Sequence, residues 1–211
     1  MTQKNKIYGY YFITDQGLSR AGIVSDVKSA LRAGVSVVQY RNKCGTTRQQ
    51  YDEARKLRVL CKKAGALFLI NDRVDVALAV DADGVHFGND DMAYEVARKL
   101  LGTRKIIGLT VHSVKEARSA QRAGADYLGL SPIFATATKI DAGKPAGVSL
   151  IKEVRAVVSL PIVAIGGITL ENAPAAVTAG ADALCAISAV ITKKNAENEI
   201  RKFQKIFQFS S

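Results

Sequence analysis

Two hydroxyls and an ammonium fall within four residues at Thr136-Ala137-Thr138-Lys139, after the apolar run Tyr127–Leu130. Each hydroxyl can donate one hydrogen bond, and the lysine adds a mobile charge with three donors. A loop of this kind offers little to a core and much to an anion. Similar polar stretches follow other apolar runs. Val38-Gln39 continues into Tyr40-Arg41-Asn42-Lys43, so Gln39, Arg41 and Lys43 join Lys139 as candidate ligands of phosphate oxygens, arginine in a bidentate manner. Asp72 and Asp91 are carboxylates that follow two neighbouring runs. Paired hard oxygen ligands beside phosphates are a usual way of holding Mg²⁺, which takes few protein ligands and keeps several waters. Each aspartate could instead cap a following helix. Gly166-Gly167 and Ile187-Ser188 add bare backbone N–H groups that an anion can approach closely.

No strong nucleophile or base stands out. His86 sits between Val85 and Phe87 and reads as a core or supporting histidine rather than a base; His112 is less decided. Neither has the i, i+4 partner of a zinc helix. Cys44 has no histidine near it in sequence, which disfavours nucleophilic catalysis. Phosphate binders plus a carboxylate pair suit the departure of a diphosphate, where the hard step is stabilising developing negative charge. Two separate anion sites, at Arg41/Lys139 and at Gly167/Ser188, suggest two phosphorylated ligands.

These residues need a frame that brings strand ends together. Eight short, nearly continuous apolar runs are bounded by Gly, Asn, Asp or Pro: 7–13, 35–39, 67–70, 84–86, 105–109, 127–130, 161–165 and 183–187. Strands buried on both faces read this way. Amphipathic helical patterns separate them at 24–33, 48–64, 74–80, 93–101, 114–123, 150–157 and 170–179, with a last helix over 196–207. Gly34, Gly124 and Gly180 each follow a helix end, where a left-handed cap is expected. The Gly-Ala-Asp repeats at 124–126 and 180–182 need no chemistry beyond a repeating connection. Eight unbroken β-α alternations predict an α/β fold, a single (β/α)8 TIM barrel spanning residues 1–211, over an open doubly wound sheet. The segment after the first strand, Thr14-Asp15-Gln16-Gly17, lacks a nucleotide-binding fingerprint. In such a barrel the site lies at the C-terminal ends of the strands, which is where the polar residues above fall.

At 211 residues and 48% hydrophobic content, one sizeable core is affordable. The formal net charge is +11, but the basic residues are scattered over helices with no aromatic-interleaved stripe. The expected partners are therefore small phosphorylated molecules and not nucleic acid. Three widely spaced cysteines point to a reducing compartment, the polar start is no signal peptide, and no apolar run could span a membrane. A cytoplasmic protein without membrane contact is expected, and a homo-oligomer is compatible with the sequence.

The chain resembles the thiamine phosphate synthase family. The resemblance is carried in order by Tyr11-Phe12-Ile13-Thr14-Asp15, Val38-Gln39-Tyr40-Arg41-Asn42-Lys43, Ile70-Asn71-Asp72-Arg73-Val74-Asp75, Gly84-Val85-His86-Phe87-Gly88, the loop from Pro132 to Lys139, and Ala164-Ile165-Gly166-Gly167-Ile168. It implies a transferase that joins an aminopyrimidine-methyl diphosphate to a thiazole phosphate and releases pyrophosphate with Mg²⁺. It further implies that Gln39, Arg41, Lys43, Asn71, Thr110 and Lys139 hold the pyrimidine diphosphate, with Lys139, Arg41 and Thr110 catalytic. Asp72 and Asp91 would bind Mg²⁺. Thr136, Thr138, Gly167, Ile187 and Ser188 would hold the thiazole phosphate. Ser131 and Ala135 stand where Gly and Pro are usual in this family, Thr110 replaces a frequent Ser, Asn89 a frequent Gln, and Tyr40 an aliphatic residue. None of these departures removes a charge or a metal ligand. A thiazole tautomerase, which would need His86 or His112 as a base, and a non-catalytic thiamine-phosphate sensor are the rival readings. The stretches at 45–47 and 140–146 are candidate lids.

Overall fold

The computed structural model describes residues 7–136 and 143–208. Eight parallel strands close into a barrel in chain order: β1 (Gly9–Ile13), β2 (Val37–Tyr40), β3 (Leu67–Asn71), β4 (Gly84–Phe87), β5 (Ile106–Val111), β6 (Tyr127–Leu130), β7 (Ile162–Ile165) and β8 (Ala183–Cys185). The expected (β/α)8 architecture is the one observed. Between the strands run α1 (Ile23–Arg32), α2 (Thr47–Ala64), α3 (Val74–Ala79), α4 (Tyr94–Leu101), α5 (Val114–Ala123), α6 (Gly147–Arg155) and α7 (Ala173–Thr178). Two more helices, α8 (Ile187–Ile191) and α9 (Ala196–Gln208), complete the described chain. No helix among the described residues is long and apolar enough to cross a membrane.

Local chemistry explains the boundaries. A capping box opens α2: the Thr46 hydroxyl accepts from the Gln49 N–H, and the Gln49 side chain accepts from the Thr46 N–H at 2.9 Å. Ser113 caps α5 in the same way, accepting from the Glu116 N–H. Gly34, Gly124 and Gly180 all have positive φ (82°, 96° and 107°), as their places after helix ends required. Several boundaries differ from the sequence reading by one to three residues, among them the start of α6 at Gly147 where 150 was expected, and two show the physical reason. The last helix-strand alternation was expected to begin with a helix from Leu170, but α7 starts at Ala173, with Pro174 in its first turn. The eighth strand was expected to reach Ile187 but ends at Cys185. Its ladder partners run out there, Ile165 being the last, and Ile187–Ile191 turns into a short helix that buries Val190 and Ile191. A continuous apolar run cannot tell these two outcomes apart.

The core has two compartments. A large one fills the space between strands and helices, where α9 alone inserts Ile200, Phe203 and Phe207. Burying each of these stabilises the fold by roughly 2 kcal/mol. A smaller one fills the barrel, with Tyr11, Val37, Leu69, Tyr127 and Val163 among its members. Glycines on the neighbouring strands β5 and β6 make room for large side chains in the barrel. A Cβ on Gly108 would fall 2.1 Å from the Tyr127 ring, and one on Gly129 would fall 3.0 Å from His86.

One device recurs at the N-terminal ends of the strands. Asp83 accepts from the Phe68 N–H of β3 and from Arg58 of α2, both at 2.8 Å. Asp126 accepts from the Ile107 N–H of β5 at 2.8 Å and from Arg98 of α4 at 2.6 Å. Asp182 accepts from the Ile162 N–H of β7 at 2.8 Å and from Arg155 of α6. The aspartates of the Gly-Ala-Asp repeats are thus structural clamps, joined by a third in Ala82-Asp83. At β1 the same task falls to α9, whose Gln204 accepts from the Tyr10 N–H at 3.0 Å. The three cysteines are free thiols, Cys44 exposed and Cys61 and Cys185 buried.

Candidate active site

A cleft of about 970 Å³, open to solvent, lies over the C-terminal ends of the strands. Eleven of the residues singled out from sequence line it: Gln39, Arg41, Lys43, Asn71, Asp72, Asp91, Thr110, Thr136, Gly167, Ile187 and Ser188. Thr138 and Lys139 lie outside the described residues. The cleft also takes in Asp15, His86 and Ser131, which sequence reasoning had not assigned to binding. Asp15 was findable, because it follows β1 as the other candidates follow their own strands.

On the β1–β2 side, Arg41 is fixed at both ends. Its backbone N–H donates to the Thr14 hydroxyl at 2.8 Å, and that hydroxyl donates to the Arg41 carbonyl at 3.0 Å. Its guanidinium pairs with Asp15 at 3.1 Å. The following loop is tied to α2. Gln50 donates to the carbonyls of Asn42 and Gly45, and Asn42 accepts from the N–H groups of Cys44 and Gly45. The 45–47 stretch is therefore anchored, with Thr46 and Thr47 serving the start of α2. Tyr40 points outward and donates to Glu53 at 2.6 Å, which explains how a tyrosine is accommodated at a strand end.

Asp72 and Asp91 approach each other on the next strands. Neither caps a helix: the N-cap of α3 is Arg73 and that of α4 is Ala93, which removes the alternative reading of both aspartates. Asp72 has φ 62°, an unusual conformation that its short polar side chain tolerates, and its N–H donates to the His86 carbonyl at 2.9 Å. Its carboxylate pairs with Lys43. Asp91 accepts from the Gly88 N–H at 2.6 Å. Burial pushes the Asp91 carboxyl above its usual range, and the neighbouring Asp72 pushes it further. Crowded negative charge of this kind is relieved by a cation. Among the described residues no group of three or more His, Cys, Asp or Glu forms a metal cage. Asp72 and Asp91, with Asn71 beside them, offer two carboxylates that would suit a hard, largely water-ligated cation such as Mg²⁺ rather than zinc.

Across the cleft, Gly166 and Gly167 have φ 93° and 64°. A Cβ on Gly167 would fall 2.3 Å from the Ala135 carbonyl oxygen, and one on Gly166 would fall 2.8 Å from Pro132. The pair therefore lets the loop after β6 lie directly on the end of β7, where Ile133 and Phe134 donate to the carbonyls of Ile165 and Gly166. Its position carries Thr136 to the rim.

His86 is 5% exposed, and both ring nitrogens are engaged, Nδ1 with the Tyr127 hydroxyl at 2.8 Å and Nε2 with the Thr110 hydroxyl at 2.9 Å. Burial holds its pKa down to about 4, partly opposed by Asp91. His112 is exposed, contacts the Ser131 carbonyl, and does not line the cleft.

The thiamine monophosphate synthase family model matches residues 10–190. The chain belongs to this family. Among thiamine-phosphate synthases, it is 51% identical to that of Methanosarcina mazei over 99% of this chain and 88% of the relative. It is 48% identical to that of Chloroflexus aurantiacus over 93% and 91% of the two chains. The solved thiamine phosphate pyrophosphorylase of Pyrococcus furiosus superposes with a TM-score of 0.90 and 39% identity, covering 98% of both chains. Members of the thiamine monophosphate synthase family thus match this chain over the whole barrel, including every strand end that lines the cleft.

Proposed function

We propose that this member of the family couples 4-amino-2-methyl-5-hydroxymethylpyrimidine diphosphate with hydroxyethylthiazole phosphate, or its carboxylated form, releasing pyrophosphate. The chain is an enzyme, a transferase of the thiamine-phosphate synthase type. The observation that carries the finer reading is the convergence of Arg41, Lys43 and the Asp72–Asp91 pair at one side of a cleft whose other side is Gly166, Gly167 and Ser188.

In this reading the carbon–oxygen bond to the diphosphate breaks first. The electron pair leaves with pyrophosphate, and the thiazole nitrogen then bonds to the cation-like methylene carbon. Arg41, oriented by Asp15 and Thr14, and Lys43, released from Asp72, bind the diphosphate oxygens as their charge grows. Asp72 and Asp91 would hold Mg²⁺, which supplies positive charge to the leaving group. Gln39 and Asn71 orient the pyrimidine end, Thr110 donates to the diphosphate, and Lys139 is assigned to the same group. Thr136, Thr138, Gly167, Ile187 and Ser188 hold the thiazole phosphate. The histidines disfavour a tautomerase, since one is engaged at both nitrogens and the other lies outside the cleft.

A pyrophosphate-release assay with each substrate alone, both together, and both with EDTA tests this. Release should require both substrates and metal. No release while both ligands bind would overturn the synthase reading in favour of a sensor.

A further inference from the structure

The barrel interior holds a buried line of hydrogen bonds that crosses five strands. The Gln39 amide donates to the Tyr11 hydroxyl at 2.9 Å, and Tyr11 and Tyr127 share a hydrogen bond of 2.7 Å. Tyr127 reaches His86 Nδ1, and His86 Nε2 reaches Thr110. The tyrosines are fully buried, so each of their hydroxyl groups needs its hydrogen satisfied within this line.

Counting donors sets the direction. Tyr11 has two polar partners among the described residues, Gln39 and Tyr127. It accepts from the Gln39 amide, so its own hydrogen goes to Tyr127. Tyr127 then gives its hydrogen to His86 Nδ1, which must be unprotonated. The neutral ring carries its hydrogen on Nε2 and donates it to the Thr110 oxygen. Thr110, whose hydrogen His86 no longer needs, lines the cleft.

We propose that Tyr127 is a positioning residue: its hydroxyl fixes the Nε2–H tautomer of His86 and thereby makes Thr110 a hydrogen-bond donor to the bound ligand. This rests on the function proposed above for the value of such a donor, which faces oxygens that gain negative charge as the diphosphate departs. Each donor in the line polarises the next, which strengthens the last one. The geometry is built for the hydroxyl as well as the ring. Gly108 opens the space that Tyr127 fills, and a phenylalanine there would leave Tyr11 and His86 each short of a partner.

The chain has two histidines, so ring ¹⁵N labelling gives signals that a His112→Gln control assigns at once. In the free wild-type protein, His86 should show an unprotonated Nδ1 and a protonated Nε2. Tyr127→Phe should mix the tautomers and lower kcat about tenfold, the worth of one hydrogen bond, with little change in KM. Thr110→Val should lower kcat, and adding Tyr127→Phe to it should cost nothing more. Thr110→Ser should restore activity. A protonated Nδ1 in the wild type, as would accompany a Gln39 amide turned the other way, overturns the proposal, and so does additivity in the double variant. Should Tyr127→Phe fail to fold, the wild-type tautomer alone decides: a protonated Nε2 supports the proposal and a protonated Nδ1 overturns it. The tautomer is read without substrate, so an inactive wild-type enzyme would count against the function proposed above and not against this line.

Discussion

Asp91 carries two duties in one carboxylate, since it accepts from the Gly88 N–H and crowds Asp72. Asp91→Asn keeps the acceptor and removes the charge. We expect kcat/KM to fall at least about a hundredfold at limiting Mg²⁺, roughly 3 kcal/mol in the transition state, with a melting temperature close to wild type. Metal titrations of the two proteins check this; equal turnover at low Mg²⁺ would remove Asp91 from the metal site. His86 gives a pH signature. Its folded-state pKa of about 4 lies below the ordinary 6.5, so folding favours the neutral ring. That stability is complete above pH 6.5 and is lost as pH falls toward 4, to a total of about 3 kcal/mol. Urea unfolding at pH 7 and 4.5 should show a steeper loss for wild type than for His86→Gln. At this scale the sequence was informative about residues that follow strands and silent about those beneath them. Arg41, Asp72 and Gly167 announce themselves by type and place. The tyrosine pair does not, because a tyrosine in an apolar run looks like any other core aromatic, and its partner lies 116 positions away.

Elements were legible wherever pattern and punctuation agreed. The limits of β6 and α5 agree with the reading residue for residue, and α2 begins within one residue of it. Legibility ended where tertiary partners decide, as at Ile187, whose apolar run continues while the ladder stops. Glycines inside strands were also mute in sequence, although two of them set the size of the barrel's contents. Gly108→Ala should cost about 3 kcal/mol by driving a methyl group into Tyr127, and activity should fall with it. Gly102→Ala meets no atom within 4 Å and carries only the strain of its φ of 70°, so about 1 kcal/mol is expected. Chemical denaturation of the two variants side by side checks the difference.

For the whole molecule, chemistry and cohesion occupy opposite ends of the barrel. The clamps at Asp83, Asp126 and Asp182 lie at the N-terminal ends of the strands, away from the cleft. Asp126→Ala leaves Arg98 without its carboxylate and the Ile107 N–H without its acceptor. A loss of about 3 kcal/mol in stability is expected, with kcat at 25 °C unchanged. Thermal melts and the pyrophosphate assay on the same preparation separate the two effects; a fall in kcat at a temperature where the variant is fully folded would contradict it. The repeat was visible in sequence as Gly-Ala-Asp. Its pairing with an arginine one helix earlier was not, because Asp126 and Arg98 are 28 positions apart.

The clamps also differ in when they can form. Arg58 and Asp83, Arg98 and Asp126, and Arg155 and Asp182 each meet within 25 to 28 residues of chain. The contact at β1 joins Tyr10 to Gln204, 194 residues apart. On a ribosome, three of the four seams can close as soon as their own segment emerges. Strand β1 must wait for α9 before its seam is sealed.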